Sequence, residues 1–346
     1  MTATAERVVV EGPAAAPRVE RRRLRSAARL LAVRSAIAVP VTAAVSVAMF
    51  WVASLSPFDP LAAYLGNNYQ FATQSQREAF RQAYQTDRPW WQAWWDWVTG
   101  LAHGDLGWSS TQSQPVTTVL AERVPFTLGL SGAALVAAAV IAIVLGCIAG
   151  MRRGGLIDKA CNVFAVTMAA VPPFVVSLVL VAVAAVGLRW FPTSGASAPG
   201  AGYTVSGVLN HAVLPLIALT VSQIPWLLLT MRTAVVDACG SDAVRGARSR
   251  GVDGWALLRG HIAPVSVLPT LALLGTRLPE LIAGAAVVET VFGWPGMAAV
   301  LVDSAAALDF PLLATLTVGA AFAVLLGSAL SDAAAVAVDP RIEMTA

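Results

Sequence analysis

The chain is predicted to be an all-α integral membrane protein with six transmembrane helices. Hydrophobic residues make up 57% of its 346 residues and charged residues only 12%, which lies outside the range of soluble globular chains. Several apolar runs reach roughly 20 residues or more, the length a helix needs to cross a bilayer. Arg and Lys are also concentrated on alternate segments between those runs, as orientation across a membrane requires.

The elements follow in order. Residues 1–34 form a basic tail, expected to be disordered up to about Val19 because Ala, Pro, Glu and Arg dominate there. The apolar run that follows lacks a small-x-small cleavage site, so residues 35–56 read as an uncleaved first span, near Ser35 to Leu55. Residues 57–125 are the large extramembrane segment. Residues 126–336 hold five more spans, near Phe126–Gly150, Ala160–Leu188, Ala212–Met231, Pro264–Glu289 and Pro311–Val336, and residues 337–346 form a short tail. Each span closes its backbone hydrogen bonds internally, as hydrocarbon demands.

Orientation comes from the basic residues. The tail, the Met151–Lys159 loop, the Arg232–His261 loop and the C-terminus hold 17 of them, against five on the opposite side. That bias places both termini in the cytoplasm and residues 57–125 outside. With the charges sorted by membrane side, the net charge of +3 gives no sign of a nucleic-acid partner.

The outer segment contains RPWWQAWWDWVTGLAHGDLGWS, with Trp90, Trp94 and Trp97 on one helical face, Trp91 and Trp95 beside it, and Trp108 further on. Trp favours the headgroup region, so this reads as a helix lying along the outer membrane surface. The alternative is an aromatic platform for a peptide or sugar.

Catalytic chemistry has no visible constellation. Cys147, Cys161 and Cys239 lie in or near apolar runs without CxxC or Cys/His spacing, and His103, His211 and His261 are far apart, so neither a disulfide framework nor a metal site is expected. No Ser/His/Asp arrangement and no GxxxxGK[ST] loop occurs.

The segment DAVRGARSRGVDGWALLRGHIAPVSVLP stands out instead. Arg245 and Arg248 lie one turn apart on a short helix, Gly251 suits its left-handed C-terminal cap, and Asp253 suits the N-cap of a second short helix, Gly254 to His261. Trp255, Leu257 and Leu258 are then free to pack. The segment is either a knob on which another protein pushes or a solvated basic loop held by anionic lipid. In the fifth span Arg277 and Glu280 lie one turn apart on one face. Charges there either pair against neighbouring spans or line a path. Pro279 leaves the Gly275 carbonyl without its donor, allowing a kink. After Glu289, Trp294 to Gly296 form an outer turn, and Met297 to Ala307 read as a short outer helix, lying at the surface or re-entrant, serving as an anchor or a docking point.

The basic segment resembles the coupling loop of bacterial ABC-importer permeases, whose core pattern is E-A-A-x3-G. The matching residues are Arg245, Gly246, Ala247 and Gly251, with Arg for Glu as in the dipeptide/oligopeptide/nickel branch. Gly246 stands where that branch has Thr more often. Further resemblances are PFDPLAAYLG at Pro57, HGDLGWS at His103, PVTTVLAERVPFTLGL after it, VVETVFGWPGMAAVLVDSAAALDFPLL, and VDPRI at the end. They run in family order over nearly the whole chain beyond the tail.

The resemblance implies a type I ABC-importer permease fold in the bacterial inner membrane. It implies a coupling loop at 242–261, with Arg245, Gly246, Ala247, Arg248, Gly251, Asp253, Trp255 and Leu258 contacting an ATPase. A second permease subunit, two ATPase domains, an extracytoplasmic binding protein and membrane lipid are the implied partners. ATP and Mg would sit on the ATPases, leaving this chain without cofactor, metal or enzymatic activity. Arg277, Glu280 and Glu289 are the candidate path residues; Glu289 matches the family's E-x-V-F acid, read as structural or gate-related, and the TRLPE stretch departs from the branch's uncharged pattern. Di- or oligopeptides are the expected substrate, with nickel or other metal chelates and small solutes as alternatives. A proton-coupled secondary transporter, an intramembrane enzyme and a membrane scaffold are the competing classes. The first should show paired broken helices with ionisable residues, and no second copy of the Arg277–Glu280 stretch occurs.

Overall fold

The structure, a computed structural model, describes residues 16–56, 69–84 and 88–338. The Pro57 segment as far as 66 and the ending after Val338 lie outside the described residues. Helix α1 spans Ala16–Ser54, so the basic tail is helical from Ala16 onward where disorder was expected to reach Val19. Its Arg, Leu and Ala residues are strong helix formers, and they extend the span backward. Helices α2 (Gln74–Tyr84) and α3 (Trp90–Ala102) follow, then a two-residue antiparallel ladder of β1 (Trp108–Ser109) and β2 (Gln114–Pro115). The core comprises α4 (Val116–Met151), α5 (Leu156–Ala170), α6 (Pro173–Leu180) with a π-helical continuation over Val181–Gly187, and α7 (Val205–Gly240). After these come α8 (Asp242–Ser249), α9 (Gly254–Leu257), a π-helical stretch Leu258–Ile262, α10 (Ala263–Thr276), α11 (Leu278–Phe292), α12 (Met297–Ala307) and α13 (Phe310–Val338).

Among the described residues, five helices are long and apolar enough to cross a membrane, and two bent pairs raise the number to seven if each pair counts as one span. The predicted third span, Ala160–Leu188, is one of these pairs: α5 and the α6 segment meet at 103°. Pro172 and Pro173 supply no N–H, and a residue before proline is pushed out of the helical region. Val171 is accordingly extended, with φ −92° and ψ 119°. The predicted fifth span, Pro264–Glu289, also differs. Its first helix runs back to Gly254, and the helix is interrupted at Arg277. Pro279 then sits in the first turn of α11, where its missing N–H costs nothing, so the expected kink is a break two residues earlier.

Helices α4 and α7 form the centre. Ala134, Ala138, Ala142, Gly146 and Gly150 recur every fourth residue along α4 and are all buried. A Cβ at Gly146 would come within 2.7 Å of the Met231 Cβ, and one at Gly150 within 2.6 Å of the Val235 Cβ. Lipid gives apolar helices little reason to associate, so close backbone approach through small residues carries this contact.

Helix α1 packs on α13 at the other side. Phe50 stacks on Phe310 with ring centroids 5.4 Å apart, and buried Trp97 closes over Phe50 at 6.0 Å. The Trp90–Trp94–Trp97 face of α3 therefore docks on α1 and α13 instead of facing lipid.

Candidate functional site

The chain leaves α7 at Gly240 and turns immediately into α8. The Ser241 side chain accepts a hydrogen bond from Val244 N at 3.4 Å, capping the helix. Val244 and Ala247 are buried against Met231, Val235 and Ala238 of α7 and against Leu257 and Ile262. Arg245 and Arg248 point to the exposed side, Arg245 paired with Asp242.

The end of α8 is a Schellman closure. Gly251 has φ 82°; its N–H donates to Arg248 O at 2.9 Å, and Val252 N donates to Ala247 O at 3.1 Å. Val252 packs back onto the cluster containing Ala247, the apolar contact that accompanies such a cap. Gly246 is half-buried, and a Cβ there would meet only Arg250 Nη1, at 3.5 Å. Asp253 occupies the N-cap position of α9 with φ −131°, yet its side chain makes no capping bond. The second short helix does not stop at His261. It continues through the π-helical stretch into α10, so Gly254–Thr276 is one element. Leu257 is buried, Leu258 is half-buried, and Trp255 stays 72% exposed. The result is a compact corner whose apolar side is anchored on α7 and whose outer side carries Arg245, Arg248, Arg250, Trp255 and Arg259.

One anchor beneath this corner was missed in the sequence. Asp158 at the start of α5 is 3% exposed. Arg232 of α7 holds both of its oxygens, Gly154 N donates to Oδ2 at 2.8 Å, and Asn162 Nδ2 donates to Oδ1 at 3.1 Å. Such a satisfied buried carboxylate clamps two helices that are far apart in sequence. The only hint was an acid and an arginine each sitting at the edge of an apolar run.

Arg277 lies at the break between α10 and α11. It pairs with Glu280, and its guanidinium carbon sits 4.5 Å from the centre of the Trp226 ring on α7, a cation–π distance. The Arg277 side chain is 17% exposed, whereas Glu280 is 52% exposed. The charges thus pair with each other, with Glu280 the more exposed of the two.

Glu289 is elsewhere, and buried. Thr127 of α4 donates to its Oε1, Ala298 N donates to Oε2 at 2.9 Å, and Met297 N donates to the Thr127 hydroxyl at 2.9 Å. The carboxylate thus sits at the N-terminus of α12, where free N–H groups favour an anion. Gly293, left-handed at φ 57°, ends α11, and the chain turns by 89° into α12. A side chain at Gly296 would overlap the Glu289 carboxylate. Trp294 Nε1 donates to Phe126 O at 3.2 Å. Glu289 latches α4, α11 and α12 together and is not gathered with Arg277 and Glu280.

A parallel latch holds the HGDLGWS stretch. Ser109 Oγ donates to Asp309 Oδ2 at 2.6 Å, joined there by Thr111 N at 3.0 Å and Thr111 Oγ1 at 2.8 Å. Ser109 and Asp309 are both buried, so this stretch is fixed to the start of α13.

Residues 142–344 match the family described as binding-protein-dependent transport system inner membrane component. Relatives include the oligopeptide transport system permease protein of Bacillus subtilis, 29% identical over 90% of this chain and 98% of its own length. A probable D,D-dipeptide transport system permease protein of Escherichia coli K12 is 31% identical over 87% of this chain and 94% of its own. A glutathione transport system permease protein of E. coli O6:H1 is 30% identical over 80% and 86%. With a family match over more than half its length, and membrane-spanning helices throughout, the chain belongs to the binding-protein-dependent transport system inner membrane components, the multi-pass permease subunits of ABC transporters.

Proposed function

We propose that this permease carries di- or oligopeptides inward, powered by ATPase subunits that grip the Asp242–His261 corner. The observation that carries the reading is the build of that corner: an eight-residue helix capped at both ends, apolar side down on α7, basic and aromatic side out. A push on α8 passes into α7, and through the unbroken Gly254–Thr276 helix it reaches the break at Arg277. The names of the relatives, which concern oligopeptides, D,D-dipeptides and glutathione, support a peptide cargo. The 17-to-five division of basic residues supports a cytoplasmic corner and cytoplasmic termini.

Arg277 and Glu280 are the path residues in this proposal. A half-exposed carboxylate at the junction of two apolar helices does not face lipid, where a charge costs roughly 2.5–3.5 kcal/mol on insertion scales. It faces water or a second permease subunit across the path, suited to the charged ends of a peptide. Glu289 serves as a structural latch beside the path. The second permease subunit, most simply a related sister chain, and an extracytoplasmic binding protein complete the transporter.

Co-purification tests the assembly. A tagged chain extracted in gentle detergent should bring down ATPase subunits, a sister permease and a binding protein whose bound ligands are peptides. Recovery of the permease without any ATPase under every gentle detergent would defeat the proposal.

A further inference from the structure

Helix α3 divides its surface into three strips. With about 100° between successive residues, Trp90, Trp94 and Trp97 share one strip, Trp91 and Trp95 lie about a quarter turn round, and Gln92, Asp96 and Thr99 a further quarter turn on. The first strip is committed to the bundle. Trp97 is buried on Phe50, Trp94 Nε1 donates to Ser46 Oγ of α1 at 3.0 Å, and Trp97 Nε1 donates to Thr315 Oγ1 of α13 at 3.4 Å. The second strip is bare: Trp91 is 55% and Trp95 59% exposed. The third is polar, with Asp96 paired to Arg88 at 2.8 Å, both exposed.

Those two indole hydrogen bonds also fix the depth of the helix. Ser46 lies eight residues before the end of α1 and Thr315 five residues after the start of α13, or about 12 Å and about 8 Å inward at 1.5 Å per residue. A helix at that level beside a bundle has protein on one flank, and the rest of its circumference passes from acyl chains through the headgroup layer to water. The three strips follow that order. An indole suits the middle position because its ring prefers apolar surroundings while its N–H stays in the headgroup layer.

We infer that α3 is an interfacial anchor. Trp91 and Trp95 insert into the headgroup–acyl boundary of the leaflet opposite the Asp242–His261 corner, and lipid, not protein, covers them. The anchor ties the start of α13 and the end of α1 to the membrane surface, and it does not depend on what the permease carries.

The test uses the intact permease in nanodiscs of phosphatidylcholine brominated either just below the glycerol or near the chain ends. Wild-type tryptophan emission is compared with that of the W91F/W95F variant, and, should that double variant not assemble, with each single Trp→Phe change. The shallow bromines should quench a component present in wild type and missing from the variant, and the deep bromines should quench it several-fold less. Equal fractional quenching of wild type and variant in the shallow lipid overturns the inference. So does a difference that appears only when the co-purifying binding protein is added, which would mark the strip as a protein-docking face.

Discussion

Replacing Gly251 with Val should uncouple ATP hydrolysis from transport while leaving the protein in the membrane. No heavy atom lies within 4 Å of a Cβ built at Gly251, so the penalty is in the backbone. At φ 82° an L-residue pays about 1–2 kcal/mol, and a β-branched one sits at the upper end. Helix α8 has only eight residues, too few to persist without its caps and its packing on α7. A loss of 1–2 kcal/mol lowers the ratio of seated to unseated corner about 5–30-fold. Uptake by proteoliposomes containing the assembled transporter should fall, by up to that factor, while ATP hydrolysis continues. Gly251→Asn is the control, because Asn tolerates the left-handed region, and its uptake should stay close to wild type. If Val and Asn transport equally well, the cap does not govern coupling and the reasoning fails.

Two further perturbations probe the core and the path. Gly150→Ala would raise stability by about 1 kcal/mol if helix propensity alone mattered. However, the added Cβ would lie 2.6 Å from the Val235 Cβ and 2.9 Å from the Arg232 carbonyl oxygen, an overpacking that costs about 1–3 kcal/mol. The melting temperature in detergent should therefore drop, and a rise would show that α4 and α7 are not held at this spacing. Arg277→Leu should alter the range of peptides transported if Arg277 faces the path. A fall in abundance with transport per molecule unchanged would assign the Arg277–Glu280 pair a purely structural role.

Much of the architecture was legible because membrane helices are written in local terms. Long apolar runs mark the spans through the cost of unpaired backbone groups in lipid. The left-handed turn at Gly251 was equally readable, since a glycine after a short basic helix has one common use. Less visible were the places where a helix stops inside an apolar run. The break at Val171–Pro172 needed the angle between α5 and α6, and the one at Arg277 moved away from the proline that suggested it. The corner's second helix merged with the fifth span because the helix runs on past Pro264 and Pro269, with the π-helical stretch Leu258–Ile262 just ahead of Pro264.

By itself, then, the sequence determined that this is a multi-span helical protein, its family, and the short basic helix that closes at Gly251, because hydropathy, charge bias and glycine chemistry act over a few residues. Tertiary structure alone decided what the isolated polar residues do. Asp158 finds Arg232 across 74 positions, Glu289 finds Thr127 across 162, and Asp309 finds Ser109 across 200. Each is a buried carboxylate whose partners arrive only when distant helices close on one another. It also divided the tryptophans of α3, taking one face for the bundle and leaving Trp91 and Trp95 bare, because a helical repeat names the faces while neighbouring helices decide which face is covered.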